Sequence, residues 1–209
     1  MKLAIVENHA LLRELLARLC RETFDCGEIG VLSPGDGTVE ACARLAPDVV
    51  LLGIDPPGLS WLAPLLKALP RVRVIALSSS ARGYELHRCE QLGVHGFVDM
   101  LSDPASAVID AIRAVSLNQR SFSASWTELR SALRQDPFSF PKVLSEREQE
   151  LLGFMDGEMN DDEIAALVGL KANSIRNHRQ NIIRKLGLHS RSELARYASE
   201  NGFTRLALR

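Results

Sequence analysis

Short apolar runs alternate with longer amphipathic stretches over the first 118 residues of the chain. Five runs have the length and composition of buried strands, at residues 3–6, 28–32, 49–52, 72–77 and 96–98. The stretches between and after them carry apolar residues at helical spacing, at residues 9–21, 38–45, 60–68, 82–92 and 104–117. Because strands that alternate with helices form sheets covered on both faces, residues 1–118 are predicted to fold as a five-stranded, parallel, doubly wound α/β domain.

Residues 119–141 break this alternation. Aromatic residues are scattered there among serine, arginine and proline, and Asp136-Pro137 and Phe140-Pro141 interrupt any long helix. We interpret this segment as an interdomain linker that contains a short helix over residues 126–133.

The remaining residues, 142–209, are predicted to form an all-α domain of four helices. Ser145 is followed three positions later by Glu148, a capping box that begins a helix running to Met155. Further helices are predicted over residues 161–168, 174–186 and 190–199, the second of these capped by Asn173. Two short helices that meet at a tight glycine-containing turn are typical of a helix-turn-helix, whose second helix enters the major groove of DNA.

Charge is unevenly distributed in this predicted domain, although the whole chain has a formal net charge of only -1. Between Lys171 and Arg191 there are six cations and no acidic residue. Between Glu146 and Glu163 there are eight acidic residues and one cation, Arg147. One face of the domain is therefore predicted to meet a polyanion, and the expected partner is double-stranded DNA.

The predicted helix over residues 174–186 carries two kinds of side chain suited to DNA. Arginine can form two hydrogen bonds with guanine, and asparagine or glutamine can do the same with adenine. The candidate base-reading residues are Asn173, Arg176, Asn177, Gln180 and Arg184. Candidates for phosphate contacts, which fix register without reading sequence, are Ser174, Arg179, Lys185 and Arg191. Lys171 completes the predicted DNA-binding set.

The C-terminal residues resemble the LuxR-type helix-turn-helix. The segments that carry the resemblance, in order over some 60 residues, are 144–148, 157, 160, 163–165, 174–178, 181–182 and 185–186. The resemblance implies a four-helix domain that binds DNA as a dimer, with its last helix at the dimer contact. It also implies base contacts near Arg176, Asn177 and Gln180, in agreement with the helical spacing.

The N-terminal strand-helix pattern, joined to such a domain, resembles the NarL/FixJ group of two-component response regulators and implies a flavodoxin-like receiver domain. Aligning the strand ends with this family places six residues in the receiver pocket: Glu7, Asn8, Gly53, Asp55, Ser78 and Met100. In this alignment Glu7 and Asn8 stand where the family has paired acids, and Ser78 at its switch hydroxyl. Gly53 stands at the phosphoacceptor aspartate and Met100 at the lysine.

These positions depart from what phosphoryl transfer requires. A receiver needs an aspartate nucleophile, carboxylates that hold Mg²⁺ and a lysine that neutralises the phosphoryl oxygens. Gly53 has no side chain, Met100 has no charge, and Glu7 is the one acid left of the pair. We therefore expect an atypical receiver with no phosphoacceptor at the usual position, no metal and no cofactor.

The sequence thus predicts a DNA-binding transcription regulator that acts independently of phosphorylation. We expect a homodimer whose receiver is controlled by a small-molecule ligand, by a protein partner or by abundance. Two alternatives stay open: a conventional phospho-switched regulator that uses a displaced acceptor such as Asp55, and an interaction module that sequesters a partner regulator.

Other function classes are disfavoured by the composition. No nucleophile–base pair, metal cluster or phosphate-binding glycine loop is recognisable, so we expect no enzyme and no catalytic residue. Charged residues interrupt the apolar residues near the N-terminus, so we expect no membrane span. The cysteines include no C-x-x-C pair, as expected of thiols in a reducing cytoplasm: Cys20, Cys26, Cys42 and Cys89.

Overall fold

The computed structural model describes residues 1–25, 27–80, 82–157 and 159–203. Within these residues the chain forms two compact units. The first comprises Met1–Ala81 and Arg88–Thr127, and the second comprises Arg82–His87 and Glu128–Arg209. Each unit has its own buried core and is described separately below.

The first unit is built on a parallel sheet. Its strands are β1 (Lys2–Val6), β2 (Glu28–Leu32), β3 (Val49–Gly53), β4 (Arg73–Ser78), β5 (Gly96–Asp99) and β6 (Ser121–Phe122). They lie in the order β2-β1-β3-β4-β5-β6, and every pairing is parallel. The five predicted strands are all present, but the described residues contain six, so the predicted strand number is corrected. A two-residue strand such as β6 is too short to leave an apolar run in the sequence.

The helices that connect these strands also agree with the periodicity, within two residues at either end. They are α1 (Ala10–Thr23), α2 (Thr38–Leu45), α3 (Leu62–Ala68), α4 (Gly83–Leu92) and α5 (Ala105–Ser116), with a 3₁₀ turn at Gly58–Trp61. The segment predicted as a linker contains β6 and two helices, α6 (Ala124–Gln135) and α7 (Phe140–Val143). The short helix expected at residues 126–133 is therefore confirmed, and it is longer than predicted.

The core of the first unit explains why its central strand is apolar throughout. All five residues of β3 are buried. On one face of the sheet, Leu16 and Cys20 of α1 and Ile112 of α5 pack in a common cluster with Leu51. A strand covered on both faces has no solvent side, so its sequence does not alternate.

The parallel arrangement brings the carboxyl ends of the strands to one edge of the sheet. Glu7 follows β1, Gly53 ends β3, Ser78 ends β4 and Met100 follows β5. The strand register places Gly53 opposite Leu77, and it places Ser78 opposite Asp99. In open parallel sheets this edge is where ligands bind, so the predicted receiver pocket residues share one neighbourhood.

The second unit contains four further helices. They are α8 (Glu146–Leu152), α9 (Asp161–Val168), α10 (Ala172–Lys185) and α11 (Arg191–Glu200). The predicted capping box of Ser145 and Glu148 is present, and a second one, Asn160 with Glu163, begins α9. Two boundaries are corrected. α8 ends at Leu152, a turn earlier than predicted, and α10 begins at Ala172 with Lys171 rather than Asn173 as its N-cap.

The segment Arg82–His87 belongs to the second unit through aromatic packing. Tyr84 stacks on Phe203 with ring centroids 4.3 Å apart, and Phe140 meets Phe203 edge-on at 4.9 Å. Tyr84 and Phe140 are both almost fully buried. Aromatic pairs in these geometries contribute about 0.5–1.5 kcal/mol beyond the area they bury. Phe140 is therefore part of the core of this unit.

Candidate nucleic-acid interface

The turn between α9 and α10 has the geometry of a helix-turn-helix. α9 ends at Val168, and Gly169 follows in the left-handed conformation with φ 69°. A residue with a β-carbon is strained at that φ, which glycine adopts freely. Two more residues, Leu170 and Lys171, complete the turn before α10 begins. The short connection between α9 and α10 therefore depends on Gly169, which ends α9 in the left-handed conformation.

One face of α10 is buried and the opposite face is open. Ile175 and Ile182 are fully buried between the helices of the second unit. The side chains predicted to read bases are all exposed: Asn173, Arg176, Asn177, Gln180 and Arg184. Lys171, Lys185 and Arg191 are exposed as well, and Ser174 is partly exposed. The structure thus brings these predicted residues to α10 and its flanks.

Arg179 is the exception and corrects a prediction. Its side chain is only 6% exposed, and its Nε and Nη2 donate to Asp161 Oδ1 at 2.9 and 2.7 Å. A guanidinium held inside the unit cannot also contact a phosphate on the surface. Arg179 therefore joins α10 to α9 rather than to DNA.

Asp161 accepts hydrogen bonds on both carboxylate oxygens. Its Oδ2 accepts from Arg191 Nη2 at 2.9 Å, and Arg176 Nε lies 3.8 Å from the same oxygen. Burial would raise the pKa of Asp161, but the hydrogen bonds and charges of Arg179 and Arg191 outweigh it and hold the pKa below its ordinary value. Sequence reasoning missed Asp161. The one available signal was an acidic residue at the first position of a helix that packs against a basic helix.

A second ion pair joins α8 to the end of α10. Lys185 Nζ donates to both carboxylate oxygens of Glu148, at 2.9 and 2.7 Å. Burial favours the neutral carboxyl, but hydrogen bonds from Lys185 and Ser145 overcome that effect and lower the pKa of Glu148. Lys185 keeps 37% of its side chain exposed. The side chain of Lys185 is thus partly exposed while its ammonium group is bonded to the buried carboxylate of Glu148.

At the sheet edge of the first unit, the space beside Gly53 is filled by Glu7. A β-carbon at position 53 would overlap Glu7 Oε2 and lie 2.9 Å from the carboxyl carbon. Glu7 is almost fully buried, and its Oε1 accepts a hydrogen bond from the backbone N–H of His9 at 2.7 Å and lies 2.9 Å from the ring nitrogen His9 Nδ1. The carboxylate is therefore held where the side chain of a residue at position 53 would begin.

The side chains of the other predicted pocket residues are hydrogen-bonded, exposed to solvent or packed against the core. Asp55 accepts hydrogen bonds from Ser78 Oγ at 2.6 Å, from Ser79 N–H at 2.9 Å and from the Ser79 hydroxyl. Asn8 is exposed. Met100 packs against the hydrophobic core of the first unit. Asp55 thus caps the end of β4, and Met100 acts as an apolar core residue.

The described residues contain no group of three or more histidine, cysteine, aspartate or glutamate side chains placed to hold a metal ion. Among them, no helix combines the length and apolarity needed to span a membrane. Cys20, Cys42 and Cys89 are buried, and Cys26 lies outside the described residues.

Residues 142–198 match the family described as bacterial regulatory proteins, luxR family. The match covers α8, α9, α10 and most of α11. These residues form a LuxR-type domain. The helix-turn-helix geometry of α9 and α10 and the family match thus identify the same part of the chain.

Relatives extend over almost the whole chain. The response regulator protein VraR of Staphylococcus saprophyticus is 25% identical over 204 residues, which are 96% of this chain and 97% of VraR. VraR of Staphylococcus aureus is 23% identical over the same shares. The chain is therefore similar to response regulators over almost its whole length.

Solved structures show the same fold. RcsB from Salmonella enterica serovar Typhimurium, bound to promoter rprA in the presence of the phosphomimetic BeF3-, has a TM-score of 0.68 at 16% identity, over 95% of this chain and 98% of RcsB. A further RcsB–DNA complex has a TM-score of 0.63 at 17% identity, over 96% and 98%. At these identities the likeness concerns the architecture of an α/β unit followed by a helical unit.

The Glu148–Lys185 pair predicts a pH-dependent contribution to stability. Because the pKa of Glu148 is lowered in the folded chain, the contribution is complete above the ordinary value of 4.5 and is lost as pH falls through the lowered pKa. Glu148→Gln should reduce the free energy of unfolding at pH 7 by about 1–3 kcal/mol. The difference in the free energy of unfolding between Glu148→Gln and the parent chain should become smaller as the pH falls.

Urea unfolding of the full chain between pH 7 and pH 3 measures this effect. The matched control is Glu146→Gln, an exposed acid in the first turn of the same helix, with an expected change of about 0.5 kcal/mol or less. A deficit of Glu148→Gln that stays the same at pH 7 and pH 3 would show that the ion pair contributes nothing.

Proposed function

We propose that this chain is a sequence-specific DNA-binding transcription regulator that reads double-stranded DNA through α10. The observation that carries the proposal is the exposed face of α10. Arginine, asparagine and glutamine side chains stand there opposite the buried Ile175 and Ile182. These are the residue types that discriminate base pairs in the major groove. The LuxR-type match over residues 142–198 and the RcsB complexes with DNA support the same function.

We propose further that the regulator works as a homodimer. One structure of RcsB contains two RcsB dimers bound to two parallel DNAs, and the fold of the RcsB chain is similar to the fold of this chain. Two linked reader domains bind DNA more tightly than one, because the first contact raises the effective concentration of the second. The limits of the receiver (1–118), the linker (119–141) and the DNA-binding domain (142–209) also remain predictions.

The proposal also includes independence from phosphorylation at the usual position. Gly53 offers no nucleophile, and Glu7 fills the space that a side chain at that position would need. Asp55, the displaced candidate, already accepts hydrogen bonds from Ser78 and Ser79. Met100 supplies no positive charge. These contacts favour a regulator controlled by abundance, by a ligand or by a protein partner over a phospho-switched one.

The Mg²⁺ that the receiver family implies does not fit the residues present. Mg²⁺ prefers near-octahedral oxygen ligation, commonly through one or two carboxylates, water and phosphate oxygens. Glu7 is the one acid of the predicted pair, and its Oε1 lies 2.7 Å from the backbone nitrogen of His9. No step of the proposed function therefore involves a metal ion.

A sequestering module that hardly binds DNA is the less favoured function. Such a module needs no row of base-reading side chains, whereas Arg176, Asn177 and Gln180 are all exposed on one helix. Five of the six cations between Lys171 and Arg191 are exposed, all but Arg179, and no acidic residue lies among them in the sequence. An ordinary protein-binding surface has no need of this charge, whereas a surface that meets DNA phosphates and base edges is expected to carry both features.

Arg176→Ala tests the DNA-reading function directly. We expect a loss of about 1–3 kcal/mol on a duplex selected by the full chain from a random pool, with relaxed base preference at one position. Fluorescence anisotropy on the selected duplex and on single-base variants measures both effects. Arg147→Ala, which removes a cation of α8, is the matched control and should leave affinity unchanged. An equal loss on every duplex would instead make Arg176 a phosphate contact.

Incubation with acetyl phosphate and Mg²⁺ tests the second part of the proposal. The intact mass of the parent chain should not change, because Gly53 has no nucleophile and both carboxylate oxygens of Asp55 accept hydrogen bonds from Ser78 and Ser79. Gly53→Asp should also stay unmodified, since Met100 supplies no cation and Glu7 occupies the adjoining space. A response regulator that has the phosphoacceptor aspartate, treated in parallel, shows that the reagent is active. A mass increase in the parent chain that maps to Asp55 would favour the phospho-switched alternative.

A further inference from the structure

The carboxylate of Asp161 is shared by three guanidinium groups. Its Oδ1 accepts two hydrogen bonds from Arg179, at 2.9 and 2.7 Å. Its Oδ2 accepts one from Arg191 at 2.9 Å and lies 3.8 Å from Arg176 Nε. One oxygen thus serves an interior arginine, and the other serves the two arginines beside the exposed face of α10.

Exposure separates the roles of these arginines. The side chains of Asp161 and Arg179 are each 6% exposed, so this pair is part of the interior. The side chains of Arg176 and Arg191 are 56% and 61% exposed, so both can reach a DNA phosphate or base. Arg191 is therefore anchored to the buried carboxylate by a hydrogen bond, and Arg176 is held near it by charge, while their other donors remain accessible.

This anchoring affects specific and non-specific DNA binding differently. Non-specific binding depends on the number of cations that neutralise phosphates and on the counterions they release. Asp161 offsets part of the charge of Arg191 and Arg176, and it places a negative charge beneath a surface that meets phosphates. Anchored guanidinium groups have few orientations, so they suit a matched duplex better than a random one.

We propose that Asp161 is a specificity-determining positioning residue, which restrains Arg191 and Arg176 and so suppresses binding to non-cognate DNA. The inference rests on the proposed DNA-binding function. Asp161 contacts no base in this account. It acts through the two surface arginines, while its bonds to Arg179 fix the position of α10 against α9.

Asp161→Asn is the variant that tests this role, because asparagine keeps the size and an acceptor oxygen for Arg179. On a scrambled duplex, we expect its affinity to rise about threefold to tenfold. The slope of log affinity against log salt should become steeper by about one to two, as one or both released arginines reach phosphates. On the duplex selected by the parent chain, affinity should change less. The ratio of selected to scrambled affinity should therefore fall.

Asp162→Asn is the matched control. Asp162 is the next residue of α9, is exposed and carries the same charge. Removing that charge should leave the affinity ratio and the salt slope close to those of the parent. If both variants lower the ratio equally, net charge explains the effect and the positioning role is wrong. The role is also wrong if Asp161→Asn leaves the ratio unchanged in a chain that circular dichroism shows to be folded.

Arg191→Gln provides a second measurement that does not depend on the stability of Asp161→Asn. An arginine that only contacts phosphates contributes equally to every duplex, whereas Asp161 would hold the guanidinium of Arg191 in an orientation that suits the selected duplex. The variant should thus lose more affinity for the selected duplex than for the scrambled one, and an equal loss on both overturns the inference. The parent chain is measured first. If it binds no duplex, the proposed function itself fails, whereas binding without these variant effects removes only the role of Asp161.

Discussion

The ion pair between Asp161 and Arg179 is the interaction on which the exposed face of α10, and with it the proposed DNA contact, depends. It joins the first residue of α9 to the middle of α10, next to the buried Ile175 and Ile182. Burying an isolated charge is costly, whereas a paired and hydrogen-bonded charge is tolerated. Together with the turn at Gly169, the pair fixes which face of α10 remains exposed.

The sequence predicted most of the fold because its strands are buried on both faces. Runs such as 49–52 have no polar interruption, and the helices between them have clear periodicity. The capping box at Ser145 and the turn at Gly169 likewise follow from local chemistry. β6 escaped prediction because two residues carry no period, and the place of Arg82–His87 in the second unit depends on aromatic packing between distant parts of the chain.

The candidate site could be predicted only in part, because its details depend on which charges meet in three dimensions. Helical spacing correctly placed Arg176, Asn177 and Gln180 on an exposed face. The same spacing could not reveal that Arg179 is bonded to Asp161, eighteen residues away. Similarly, the glycine at position 53 predicted that the usual nucleophile is missing, but only the structure shows Glu7 in the adjoining space. The carboxylate of Glu7 thus lies where a side chain at position 53 would begin, which supports the proposal that DNA binding is controlled without phosphorylation there.

The most direct test of this account is the equilibrium affinity of the full chain for its selected duplex, with and without acetyl phosphate and Mg²⁺. The chain should be purified without a phosphodonor and measured at one fixed salt concentration, because cation–phosphate contacts make affinity depend on salt. We expect specific binding of the same strength under both conditions. Specific binding that appears only after treatment with the phosphodonor would contradict it.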